Sequence, residues 1–116
     1  MSHRQDEHTA WASVEELIAA AQDMAGRRSA GLWDDWHTLA DSIETARYRL
    51  DPLLGVPVGE PDVLAVIALS IRPVSELLRQ AAERVGEMDA PVEVRTLAFL
   101  LLTDLMHTAR QLEAAS

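Results

Sequence analysis

Val14-Glu15-Glu16-Leu17-Ile18 returns at an offset of 60 as Val74-Ser75-Glu76-Leu77-Leu78, and this recurrence decides the fold. The match runs on through Ala21 with Ala81, Asp23 with Glu83 and Gly26 with Gly86. It then resumes at an offset of 63, pairing Trp36 with Phe99, Leu39 with Leu102, Asp41 with Asp104, and Thr45-Ala46-Arg47 with Thr108-Ala109-Arg110. In each copy a helix-forming run meets a glycine, a natural helix stop, and a short connection leads into a second helix. One helix pair cannot bury its own apolar face, but two pairs packed about a pseudo-two-fold axis can. The sequence therefore predicts an all-α single domain over 1–116, a four- to five-helix bundle made of two repeated antiparallel helical hairpins.

The boundaries follow from caps and breakers. Residues 1–8 read as a flexible tail. Ser13-Val14-Glu15-Glu16 reads as a capping box opening helix 1, which would end near Gly26, and Trp11 would staple that helix to the body. Helix 2 is expected from about Leu32 to Leu50, with Asp34 and Asp35 in a first turn that favours negative charge and Asp51-Pro52 ending it. The first hairpin thus covers 13–50. Residues 51–61 hold three prolines and two glycines and read as a linker. The second hairpin covers 62–114. Its first helix is expected to be kinked or broken near Pro73, because proline there removes a backbone hydrogen bond and clashes with the preceding turn. The stretch Val63 to Ile71 is apolar on nearly every face and is expected to be covered on most sides.

Composition narrows the function classes. The chain has a net charge of −9, and all ten of its Lys and Arg residues are Arg. That balance argues against direct nucleic-acid binding, which needs clustered cations, and against an anionic membrane surface. With no cysteine, thiolate catalysis and Cys-based zinc sites are out of reach. The first eight residues do not read as a signal peptide, no apolar run spans a bilayer, and a cytoplasmic protein is expected. Apolar residues make up 48% of the chain. Val63 to Ile71, and Leu97 to Leu102 with Met106, are apolar around more of the helix than one inner face requires; the surplus suggests a fifth packed segment or a subunit interface, and a homodimer is the expected state.

Several residues are candidates for binding. Trp33 and Trp36 flank Asp34-Asp35, where large aromatics usually pack but can line a pocket or anchor a partner. Asp41 and Asp104 are matched by the repeat in mid-helix. Arg47 and Arg110 are matched near helix C-termini, where a cation suits the dipole and an ion pair to Asp41 or Asp104 is the plain reading. Together Trp33, Trp36, Asp41, Arg47, Asp104 and Arg110 form the ligand-binding set. A metal alternative imitates the di-metal carboxylate bundle, with Glu16, Asp41 and Glu44, Glu76, and Asp104 with His107. It departs from that plan at Glu44, where histidine is required, and the reading preferred is solvent-facing carboxylates with no metal. The histidines have no nucleophile at a recognisable spacing, and no phosphate-cradling loop or nucleophile elbow is present. No catalytic residue and no cofactor are assigned.

Ile71-Arg72-Pro73-Val74 through Leu78, then Asp89-Ala90-Pro91-Val92-Glu93-Val94-Arg95, then Ala109-Arg110 resembles a family of small uncharacterised helical actinomycete proteins associated with natural-product gene clusters. The resemblance covers about forty residues. It implies a genomic setting and carries over no catalytic residue, since the family offers none.

The leading expectation is a non-enzymatic helical binding protein, dimeric, engaging a protein partner or an apolar small molecule. A second is an enzyme or accessory factor in specialised metabolism with a small-molecule pocket between the hairpins near Trp33, Trp36, Asp41 and Asp104. A third is an acidic decoy for a nucleic-acid-binding protein, which would cluster carboxylates along one face.

Overall fold

A computed structural model describes residues 3–53 and 63–115, with side chains from Ala12 to Leu53 and from Leu64 to Ala115. The described chain is all-α: α1 (His3–Arg28), α2 (Asp35–Leu53), α3 (Val63–Leu69), α4 (Val74–Glu87) and α5 (Val92–Ala115). Of the expected linker 51–61, residues 51–53 are instead the end of α2, and 54–61 lie outside the described residues.

Around the bundle the neighbours run α1, α2, α5, α4 and back to α1, with α3 laid chiefly against α1. One side chain fixes a direction: the Arg84 guanidinium, in the last turn of α4, donates to the Ser13 hydroxyl at the start of the buried stretch of α1. α4 therefore runs antiparallel to α1. The core is a single cluster in which Val14, Leu17, Ile18, Ala21 and Ala25 of α1 are as buried as Val74, Leu77, Leu78, Ala81 and Val85 of α4. Leu39, Ile43, Ala46 and Leu50 of α2 and Ala98, Leu102, Met106 and Ala109 of α5 close it from the other side. Each buried leucine or isoleucine there adds roughly 1.5–3 kcal/mol of transfer free energy.

Several boundaries differ from those expected. α1 begins at His3, so residues 4–8 are helical backbone rather than a tail, and Ser13 lies inside a helix and caps nothing. The capping box fails because helix already precedes it, leaving Ser13 to accept from Arg84 instead. The expected role of Trp11 falls on a side chain outside those described. α2 starts later than Leu32, at Asp35, because Asp34 takes the N-cap: its Oδ1 accepts from the Trp36 amide at 2.8 Å and its Oδ2 from the Ala30 amide at 2.9 Å. These two donors hold the Asp34 carboxyl below its ordinary range. Gly31, at φ 158°, makes the turn before it. At the other end α2 runs through Asp51-Pro52 to Leu53, with Pro52 in its last turn.

The break at Pro73 is where the sequence placed it. α3 stops at Leu69, Ser70 turns its hydroxyl back onto the Val66 carbonyl at 2.7 Å, and α4 restarts at Val74. Proline offers α4 no side-chain cap. The Glu113 carboxylate from the end of α5 accepts from the Ser75 amide at 3.3 Å and its hydroxyl at 3.1 Å. The expected cover over Val63 to Ile71 is only partial: Val66 and Leu69 pack on the core, whereas Leu64 is 77% exposed and Ile71 86%. A single-sided contact with α1 cannot enclose a segment that is apolar all round.

Candidate functional site

Of the four seams in the bundle, α2–α5 is the most sparsely packed, and it opens outward into a groove of about 510 Å3. Leu39 and Ala46 of α2 and Leu101, Leu105 and Leu112 of α5 line its apolar parts. α2 contributes a second row, Asp35, Thr38, Ser42, Thr45 and Arg49. These residues are spaced alternately three and four apart, the seam spacing of helices that pack along their length. The row sits one residue, about 100° around the helix, from the inward row Trp36, Leu39, Ile43, Ala46 and Leu50. On α5 Leu101, Leu105, Thr108 and Leu112 repeat the same spacing.

The hydroxyls in the groove are spent on their own helices. Thr38 donates to the Asp34 carbonyl at 3.4 Å, Ser42 to Thr38 at 3.0 Å, Thr45 to Asp41 at 3.0 Å and Thr108 to Asp104 at 3.3 Å. Such back-bonding removes the donor and presents small side chains that let another backbone come close. Asp41 and Asp104 stand on opposite banks, one on each helix, and both are exposed. Asp41 also meets the His37 imidazole at 3.4 Å.

The groove thus gathers two of the six predicted ligand-binding residues, Asp41 and Asp104. Trp36 is buried, with the Arg28 guanidinium 4.3 Å from its ring centroid. Trp33, where packing was the plain expectation, is 98% exposed. It occupies the turn ahead of α2 with no described element over it. Arg110 is exposed on α5. Arg47 pairs with neither Asp41 nor Asp104: it points between α1 and α2, donating to Gln22 at 2.9 Å and lying 3.7 Å from the Glu15 carboxylate. The metal alternative is not assembled, since no group of three or more His, Asp or Glu side chains gathers among the described residues. Glu76 is instead bound to Arg79 and Gln80 on its own helix, which lowers its pKa to about 2. His107 is exposed.

A second polar cluster was not foreseen. Glu15, 6% exposed, and Asp51, 2% exposed, lie together between α1 and α2 with Arg47 as the cation. Glu15 Oε1, Asp51 Oδ1 and Arg47 Nε are buried without a hydrogen-bond partner among the described atoms. Burial, with the Asp51 charge beside it, pushes the Glu15 carboxyl up, and Arg47 opposes this.

Comparison with protein families, with curated proteins and with solved structures returns no match. No described helix is long and apolar enough to cross a membrane.

Proposed function

We propose that the protein is a non-enzymatic helical binding protein, dimeric in solution, whose work is done by side chains its own fold leaves uncovered. The observation that carries this reading is the outer face at the start of α5. Phe99 and Leu100 stand out from it, Leu100 being 59% exposed, beside a hollow of about 300 Å3 lined by Gly86, Val92, Arg95 and Thr96 together with these same two residues. A two-fold interface needs one patch that carries both the projection and the recess, and this patch has both. Light scattering after size exclusion is the test: the expected mass is twice the 12.8 kDa monomer, falling to one in Leu100→Glu. A monomer at every concentration overturns the dimer.

The second reading is a small-molecule pocket, in an enzyme or accessory factor of natural-product metabolism. Convergence of Asp41 and Asp104 on one groove between the hairpins favours it. A ligand thermal-shift screen that moves the melting point of the wild type but not of Asp41→Asn/Asp104→Asn supports this reading, and an unresponsive protein removes it.

A further inference from the structure

Phe99 and Leu100 line the hollow beside Gly86 and do not line the α2–α5 groove. We propose that this groove seats an amphipathic helix of a different protein, one whose two edges carry Lys or Arg.

Shape selects a helix. Asp35 to Arg49 is a groove wall about 21 Å long at the rise of an α-helix, too extended for one compact ligand. Both banks offer side chains at the period by which helices interlock: Thr38, Ser42 and Thr45 on α2, and Leu101, Leu105, Thr108 and Leu112 on α5. Small residues on the α2 bank allow a third axis to approach within the 8–10 Å usual for packed helices. The back-bonded hydroxyls need no water or ligand acceptor, so covering them leaves no orphaned hydrogen.

Charge selects the edges. Asp41 borders the groove on one bank and Asp104 on the other, with Asp35 at one end of the α2 row and Arg49 at the other. A helix lying between the banks places its flanking positions against Asp41 and Asp104, which lysine or arginine there would satisfy. A second copy of this chain fits badly, because its net charge of −9 opposes the acidic banks. Arg49 adds a polarity: the bound helix presents an acid or its C-terminal carbonyls at that end.

The test uses the full chain and a labelled synthetic peptide of about 21 residues, three heptads with Leu at both seam positions and Lys at the flanks, whose like charges keep it from pairing with itself. Fluorescence anisotropy is expected to show saturable binding, weakened by salt. A Glu-flanked peptide should bind at least about tenfold more weakly, and Asp41→Asn/Asp104→Asn should lose about tenfold for the Lys peptide. Thr45→Trp, an exposed position that fills the groove, should abolish binding while keeping the helical circular-dichroism spectrum. Ser42→Trp serves the same purpose should Thr45→Trp disturb the fold. The proposal is overturned if the Lys peptide does not bind, if both peptides bind alike, or if both tryptophan variants bind normally. It also fails if Glu87→Gln/Asp89→Asn, which removes two exposed charges elsewhere, weakens binding as much as the groove pair does, since that marks general attraction to an acidic surface. Light scattering reads the dimer separately, so either reading can fail without the other.

Discussion

Replacing Arg47 with methionine isolates the electrostatics of the α1–α2 seam, because methionine keeps an apolar stem in place and removes only the guanidinium. Two buried carboxylates, Glu15 and Asp51, then face each other without a cation. Breaking a buried pair this way costs roughly 3–5 kcal/mol when the remaining charge has no escape. Here there is one: Glu15 is already pushed toward its neutral form and can take up a proton. From the ordinary glutamate value of 4.5, protonation at pH 7 costs about 3.4 kcal/mol, and at pH 5 about 0.7 kcal/mol, at about 1.36 kcal/mol per unit. The lost hydrogen bond to Gln22 adds about 1 kcal/mol at both. Arg47→Met should therefore lose about 4 kcal/mol at pH 7, a fall of about 2 M in urea midpoint, and less than about 2 kcal/mol at pH 5. The assay is urea unfolding by circular dichroism at the two pH values. Equal losses at both, or a loss under about 1 kcal/mol at pH 7, would refute the reasoning. Glu15→Gln gives the complementary sign: a raised carboxyl favours the fold below 4.5 and less so as pH climbs through the raised value, so this variant should hold or gain stability at neutral pH.

Other outcomes follow from the same geometry. Leu102→Ala, at a fully buried position facing the bundle centre, should cost about 2–5 kcal/mol in the same unfolding assay, whereas Leu64→Ala on the open side of α3 should change it by less than about 0.5 kcal/mol. Glu76, held at about 2 by Arg79 and Gln80, stabilises above 4.5 and stops doing so as pH falls toward 2, so Glu76→Gln should flatten the acid limb of the stability curve. Asp34→Ala removes the cap of α2 and should lower the melting temperature. Trp33→Phe should remove an acrylamide-accessible part of the tryptophan emission, since of the two described tryptophans Trp33 is exposed and Trp36 is not.

The helices were legible where two independent signals agreed. Pro73 broke a long apolar run, and a break stands there; Gly31 and Asp34 punctuate the turn that the sequence placed between Gly26 and α2. The start of α1 was misread because Ser13 and Glu16 have the spacing of a capping box wherever they occur, and local chemistry does not reveal that helix already precedes them. At the groove, Asp41 and Asp104 were found through the repeat, which pairs positions without regard to polarity. Thr38, Ser42 and Thr45 were missed because the stripe on α2 was traced through hydrophobic residues alone. Their alternating three and four spacing beside that stripe was the available signal. Glu15 was missed because acidic residues in a first turn read as solvent-facing, and its burial depends on α2, from which Arg47 and Asp51 approach it.

α2 carries two scripts written one residue out of phase. The inward script reads Trp36, Leu39, Ile43, Ala46, Leu50 and the outward one Asp35, Thr38, Ser42, Thr45, Arg49. A helix so built is intolerant of frame: inserting a single residue near its start would bring the hydroxyl row to the centre and turn the greasy row into the places of His37, Ala40, Arg47 and Asp51, which face α1. Substitution within the outward script, by contrast, leaves every inward letter untouched, so that surface is free to drift while the bundle stays the same.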